Sequence, residues 1–145
     1  MNVEKFFSKE QKKQIVNAIK EAEKETSGEI RVHIESSCKK DTLERAVHLF
    51  EKLKMHETQL HNGTLIYLAV KDHKFAIFGD EGINEIVPDN FWTDVRTVMQ
   101  KKFGSGKFVA GLTTGIGMVG QKLKEYFPYK DDDINELSDD ISVGE

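Results

Sequence analysis

Gly79-Asp80-Glu81-Gly82 sets two carboxylates between two glycines. It follows the apolar run 75–78, which reads as the end of a buried strand. Carboxylate and carbonyl oxygens are the ligands that Ca²⁺ and Mg²⁺ prefer. Asp89, Glu29 and the Asn62 amide are expected to complete such a shell. The candidate metal set is therefore Asp80, Glu81, Asp89, Glu29 and Asn62, with either Ca²⁺ or Mg²⁺ as the ion. The competing interpretation is a solvated turn whose glycines supply positive φ.

Other chemically suggestive stretches carry less. Residues 131–142 superficially match a calcium loop, but Glu136 stands where glycine is required and Ser142 where glutamate is. Gly104-Ser105-Gly106-Lys107 suggests a phosphate loop. Lys101 and Phe108 occupy its other obligatory positions, so a helix end followed by a helix start explains it better. His56 and His61 are not the i, i+4 pair of a zinc metalloprotease. His33 and His73 read as surface residues. Cys38, the only cysteine, lies beyond the first strand with no identified base, and excludes an internal disulfide or a metal–thiolate set. No catalytic residue is assigned.

These groups need elements to position them. Residues 64–70 are apolar and β-rich, residues 71–73 can turn, and residues 75–78 return as a second strand. Both strands are apolar on both faces, so helices are expected to cover both sides of the sheet. Ser8 with Gln11 starts a helix expected to reach about Thr26, before Gly28. Residues 29–35, EIRVHIE, alternate strictly, which predicts a half-buried strand nearer a sheet edge. Asp41 with Glu44 starts a second helix to about Lys54, followed by a polar loop at 55–61. Strand, helix and strand in that order predict a right-handed crossover between parallel strands. Glu29, Asn62 and Asp80-Glu81 then share one rim of the sheet. Pro88 and Asp89 precede a third helix bearing Trp92, and residues 85–87 are a candidate edge strand. The last helix carries Gly111, Gly115, Gly117 and Gly120, which predicts close packing of its backbone.

The chain has 145 residues, 38% hydrophobic and 32% charged, with a net charge of −4. One domain is expected, at 1–128. Residues 129–145 hold seven carboxylates against one lysine and predict a disordered, solvated tail. The remainder is close to neutral, with no dense basic face for nucleic acid. No window approaches the roughly 18 apolar residues of a membrane span, and no signal peptide is evident. The expectation is a cytoplasmic monomer.

From residue 62 to 103 the sequence resembles the TPM-domain family. Ser27-Gly28-Glu29-Ile30, Asn62-Gly63, Asp72, Gly79-Asp80-Glu81-Gly82-Ile83-Asn84 and Phe103-Gly104-x-Gly106 carry the likeness, which extends over about residues 7–126. The family includes thylakoid-lumen, bacterial membrane-anchored and nematode receptor-modulating proteins. The resemblance implies a three-layer α/β/α sandwich, of class α/β, around a mixed, twisted, roughly four-stranded sheet. It also implies divalent-metal binding near the acidic loops in some members and acid-phosphatase activity in a plant member. The expected function is a soluble divalent-cation-binding domain that acts as an accessory module through a protein partner. The alternative is a metal-assisted phosphomonoesterase.

Overall fold

The computed structural model describes residues 3–129 and 138–144. After a 3-10 turn at Val3–Lys5, helix α1 spans Lys9–Glu23. Its capping box closes at both ends: Gln11 N donates to Ser8 Oγ at 3.1 Å, and Ser8 N to Gln11 Oε1 at 2.9 Å. The helix stops short of Thr26 because Thr26 has other partners. It forms a bridge with Pro128, and its hydroxyl donates to the Phe127 carbonyl while its Oγ1 accepts from Gly28 N.

Strand β1 is Glu29–Glu35, and α2, Thr42–Lys52, starts where Asp41 accepts from Glu44 N at 3.1 Å. The loop expected to be polar contains a 3-10 turn, Met55–Glu57, whose Met55 is fully buried. Strands β2 (Gly63–Ala69) and β3 (Lys74–Gly79) form the expected hairpin, turning through His73 at φ 54°. A four-residue helix, α3 (Glu81–Asn84), follows directly. Helices α4 (Phe91–Gly104) and α5 (Phe108–Tyr126) complete the layers. Between them the chain turns at Gly106, φ 77°, with Gly106 N and Lys107 N donating to Phe103 O and Lys102 O. That is a helix-ending turn, not a phosphate loop.

The sheet is mixed, in the order β3-β2-β1-β4, where β4 is Ser142–Val143. β1 runs parallel to β2 and β4, and β2 antiparallel to β3. One face packs against α1, α4 and α5 through Ile15, Ile19, Val95, Met99, Leu112, Ile116 and Val119. The other packs against α2 through Ala46, Leu49 and Phe50. The sandwich covered on both sides is thus the observed architecture. No helix among the described residues is long and apolar enough to cross a membrane.

Two expectations fail at the sheet edge. Residues 85–87 do not pair as a strand; they follow α3 in a turn that leads to α4. The fourth strand comes instead from the region expected to be a solvated tail. Ser142–Val143 pairs with His33 and Ile34, and Ile141 packs against the larger core. Alternating small and apolar residues, Ile141-Ser142-Val143-Gly144, suit an edge position. The middle of that tail, residues 130–137, lies outside the described residues.

The glycines of α5 do mark close packing, but against side chains rather than backbone. A Cβ at Gly111 would enter the Phe103 ring, and one at Gly115 would lie 2.9 Å from Met99 Cε, both on α4. Gly117 faces open space and is exposed. Leucine at 111 or 115 should overpack the α4–α5 contact and cost about 1–3 kcal/mol. Gly117→Ala should instead stabilise by about 0.5–1 kcal/mol, since only helix propensity changes. Denaturant unfolding of the three variants checks both signs.

Candidate functional site

The rim predicted from the topology exists. Glu29 pairs with Gly63 in the parallel register, and Glu29 N donates to Asn62 O at 3.2 Å. Thr64 pairs with Gly79, and Asp80 N donates to Gly63 O at 2.9 Å, extending the hairpin register by one residue. Glu29, Gly63 and Asp80 therefore form one row across three strands. Matched register puts side chains of a row on the same face, here the α2 side, shared with Leu65 and Phe78. The outer two are carboxylates, 3% and 8% exposed, and the residue between them has no side chain.

Asp80 is also the N-cap of α3, with Glu81 N donating to its Oδ1 at 2.8 Å. Its Oδ2 is buried with no hydrogen-bond partner among the described residues. His61 Nδ1 lies 3.5 Å from it, on a half-exposed ring. The glycines around Asp80 do not supply positive φ, contrary to the solvated-turn interpretation. They supply space. A Cβ at 79 would collide with the Trp92 ring, and one at 82 with the Leu60 and His61 carbonyls. Asn84 locks this corner: its Nδ2 donates to Gly79 O at 2.8 Å, and Trp92 Nε1 donates to its Oδ1 at 2.9 Å.

The other candidates do not converge equally. Asn62 is buried at 1%, but it precedes Gly63 and so falls out of the carboxylate row. Its Nδ2 is buried with no hydrogen-bond partner among the described residues. Glu81 and Asp89 are exposed, on α3 and in the turn before α4. Among the described residues, no group of three or more His, Cys, Asp or Glu side chains is placed to hold a metal ion. The buried oxygen donors of the row are the carboxylates of Asp80 and Glu29, and the Leu60 and His61 carbonyls lie against Gly82.

The TPM-domain family model matches residues 1–122. The chain belongs to this family. The TPM domain described here is also similar to the BA42 protein of the psychrophilic bacterium Bizionia argentinensis, with 50% identity, 96% of each chain covered and a TM-score of 0.90. The N-terminal domain of a P. gingivalis protein has the same fold at 18% identity and a TM-score of 0.69, covering 83% of this chain and 78% of that one. So does the N-terminal domain of the cg2496 protein of Corynebacterium glutamicum, at 14% and 0.67, covering 82% and 75%. No curated protein matches the chain.

A second polar cluster in the TPM domain escaped sequence reasoning. His33 is not a surface residue but 4% exposed, and Glu35 is equally buried. Arg45 of α2 grips Glu35 with two bonds, Nε to Oε1 at 2.8 Å and an amino group to Oε2 at 3.0 Å. His33 Nδ1 shares a hydrogen bond with Ser142 Oγ at 2.9 Å, and its ring stacks near Tyr67. Alternation along β1 marked these residues as solvent-facing. The missing clue is that α2 also has an apolar stripe, which must lie on that face.

Burial drives the His33 imidazole down to about 4, against a weaker opposing pull from Glu35. Burial, with a hydrogen bond to Asp139, pushes the Glu23 carboxyl up to about 9, although its Oε2 accepts from Ile30 N at 2.9 Å. The signs follow from linkage. His33 binds its proton more weakly in the fold, so its contribution is lost as pH falls from about 6.5 towards 4. Glu23 binds its proton more tightly in the fold, so its contribution is full below 4.5 and lost as pH rises towards 9. Glu23→Gln should flatten the alkaline decline and His33→Gln the acid one, as read from urea midpoints across that range.

Proposed function

We propose that this TPM domain is a divalent-cation-binding module that acts through a protein partner. Its ion is held at the rim between Asp80 and Glu29. The observation that carries this reading is the row Glu29–Gly63–Asp80. Two buried carboxylates flank a glycine, and one Asp80 oxygen has no hydrogen-bond partner among the described residues. Alternate strands stand about 10 Å apart, within the combined reach of the two side chains and a bound ion. Buried like charges repel, and a cation between them relieves that cost. Few protein ligands imply weak binding with several waters retained, the habit of Mg²⁺ sites built on one or two carboxylates. Glu81 and Asp89 attract the ion from outside.

Amide chemical-shift titrations with Ca²⁺ and Mg²⁺ test the reading on the full chain. Perturbations should centre on residues 29, 61–63 and 80–82, and saturating ion should raise the melting temperature by mass action. Asp80→Asn keeps a competent helix cap, so it should preserve the fold while weakening binding by about tenfold or more. Glu29→Gln should act in the same direction. Titrations of both variants that match the parent would sink the assignment. Phosphomonoester hydrolysis that is lost to a chelator and to Asp80→Asn would move the function to the metal-assisted phosphatase alternative.

A further inference from the structure

The edge of β1 away from β2 is a groove with a fixed chemical pattern, occupied by residues 141–144 of the same chain. Ile30, Val32 and Ile34 direct their backbone groups towards this edge. Glu23 Oε2 takes the Ile30 N–H, and Gly144 N donates to the Ile34 carbonyl at 2.8 Å. Between these two anchors only a two-residue strand is paired. Each position of that segment meets a distinct environment. Ser142 shares its hydroxyl bond with His33 on the α2 side. Gly144 has no room for a side chain, because a Cβ would stand 2.9 Å from His33 Nε2 and 3.0 Å from Glu35 Cγ. Ile141 and Val143 face the other side, towards Val3, Phe7, Val16 and Ile34.

There the fit is incomplete. Next to Ile141 and Val143 lies a solvent-open depression of about 270 Å³, mostly apolar, flanked by Glu4, Lys12 and Asp140. Val143 itself remains 38% exposed. Apolar surface left open to water beside Val143 is stabilising to bury, and a larger side chain there covers more of it. A strand of the same pattern with larger apolar side chains at these two positions fills it better.

We propose that the β1 edge is a strand-docking site for a partner polypeptide that binds extended and parallel to β1. The recognised pattern is large apolar, Ser or Thr, large apolar, Gly, and residues 141–144 hold the site in cis until it is displaced. Backbone hydrogen bonds supply affinity in such augmentation, and alternate side-chain pockets supply specificity. The tethered tail raises the threshold, because its effective concentration exceeds that of a free peptide.

Gly144→Leu in the full chain provides the test. The buried His33 and Glu35 side chains leave no space for leucine, so the tail should leave the edge and open it. Synthetic peptides spanning residues 138–144 are then titrated into parent and variant, with amide shifts and fluorescence anisotropy as readouts. The variant should bind the unmodified peptide about tenfold or more tighter than the parent does. The peptide with Val143→Phe should bind several-fold tighter again, at about fourfold per methylene buried. A peptide with Gly144→Pro, lacking the N–H that bonds Ile34, should not bind. Three results would overturn the proposal. The first is an opened edge that binds none of the peptides, and the second is weaker binding of the phenylalanine peptide. The third is a concentration-dependent parent dimer that exchanges residues 141–144 between chains, which assigns the edge to a second copy. Retention of β4 pairing by the leucine variant would overturn the claim that glycine is required there.

Discussion

The parallel pairing of β1 with β2 is the constraint on which the rest of the structure depends. Seven residue pairs, from Glu29↔Gly63 to Glu35↔Ala69, fix it. Parallel neighbours cannot be joined by a tight turn, so α2 must cross one face of the sheet and return the chain to the starting rim. That crossover brings Glu29 and Asn62 together, although more than thirty residues separate them. The β2–β3 hairpin then carries the chain back to the same rim, and Asp80 arrives beside Gly63. A one-residue slip in either pairing would turn Glu29 or Asp80 to the opposite face. The carboxylate row thus depends on register before it depends on any local turn.

The two faces of the sheet carry unequal loads. Three helices cover one face with a continuous apolar core. On the other, α2 has eleven residues and covers a smaller patch. Polar residues of β1 lie on this thinner side. Arg45 neutralises Glu35 there, and Ser142 satisfies one nitrogen of His33. Buried Glu35 and one nitrogen of His33 on this face are thus satisfied by elements about a hundred residues apart. Loss of either partner leaves a desolvated group behind, which costs more than the bond itself contributes.

Much of this was legible in the sequence because it rests on periodicity and handedness alone. The two-sided apolarity of residues 64–70 and 75–78 announced helices on both faces, and the strand–helix–strand order announced the rim. The glycines at 79 and 82 were recognised as special, and only the positive-φ interpretation of them fails; the close approach of Trp92 to Gly79 can be seen only in three dimensions. His33 and Glu35 were misplaced because alternation cannot distinguish a face open to water from one beneath a short helix. β4 was missed because two residues carry too short a periodic signal, and it is held by β1 and by the core against which Ile141 packs. The convergence of Glu81 and Asp89 was overestimated, since a short helix and a turn hold both at the surface.

The corner around Gly79 has a practical consequence. The chain has one tryptophan, and its indole lies against that glycine while its N–H bonds Asn84. Asn84 in turn holds the carbonyl immediately preceding Asp80. The indole dipole is thus linked by two hydrogen bonds to the backbone that carries the rim carboxylate. Displacement of that backbone alters the polarity sensed by the ring, and Phe91, tilted at 59°, is the only other aromatic ring paired with it among the described residues. The fold has built an optical reporter into the wall of its own rim, readable from intrinsic emission without any label.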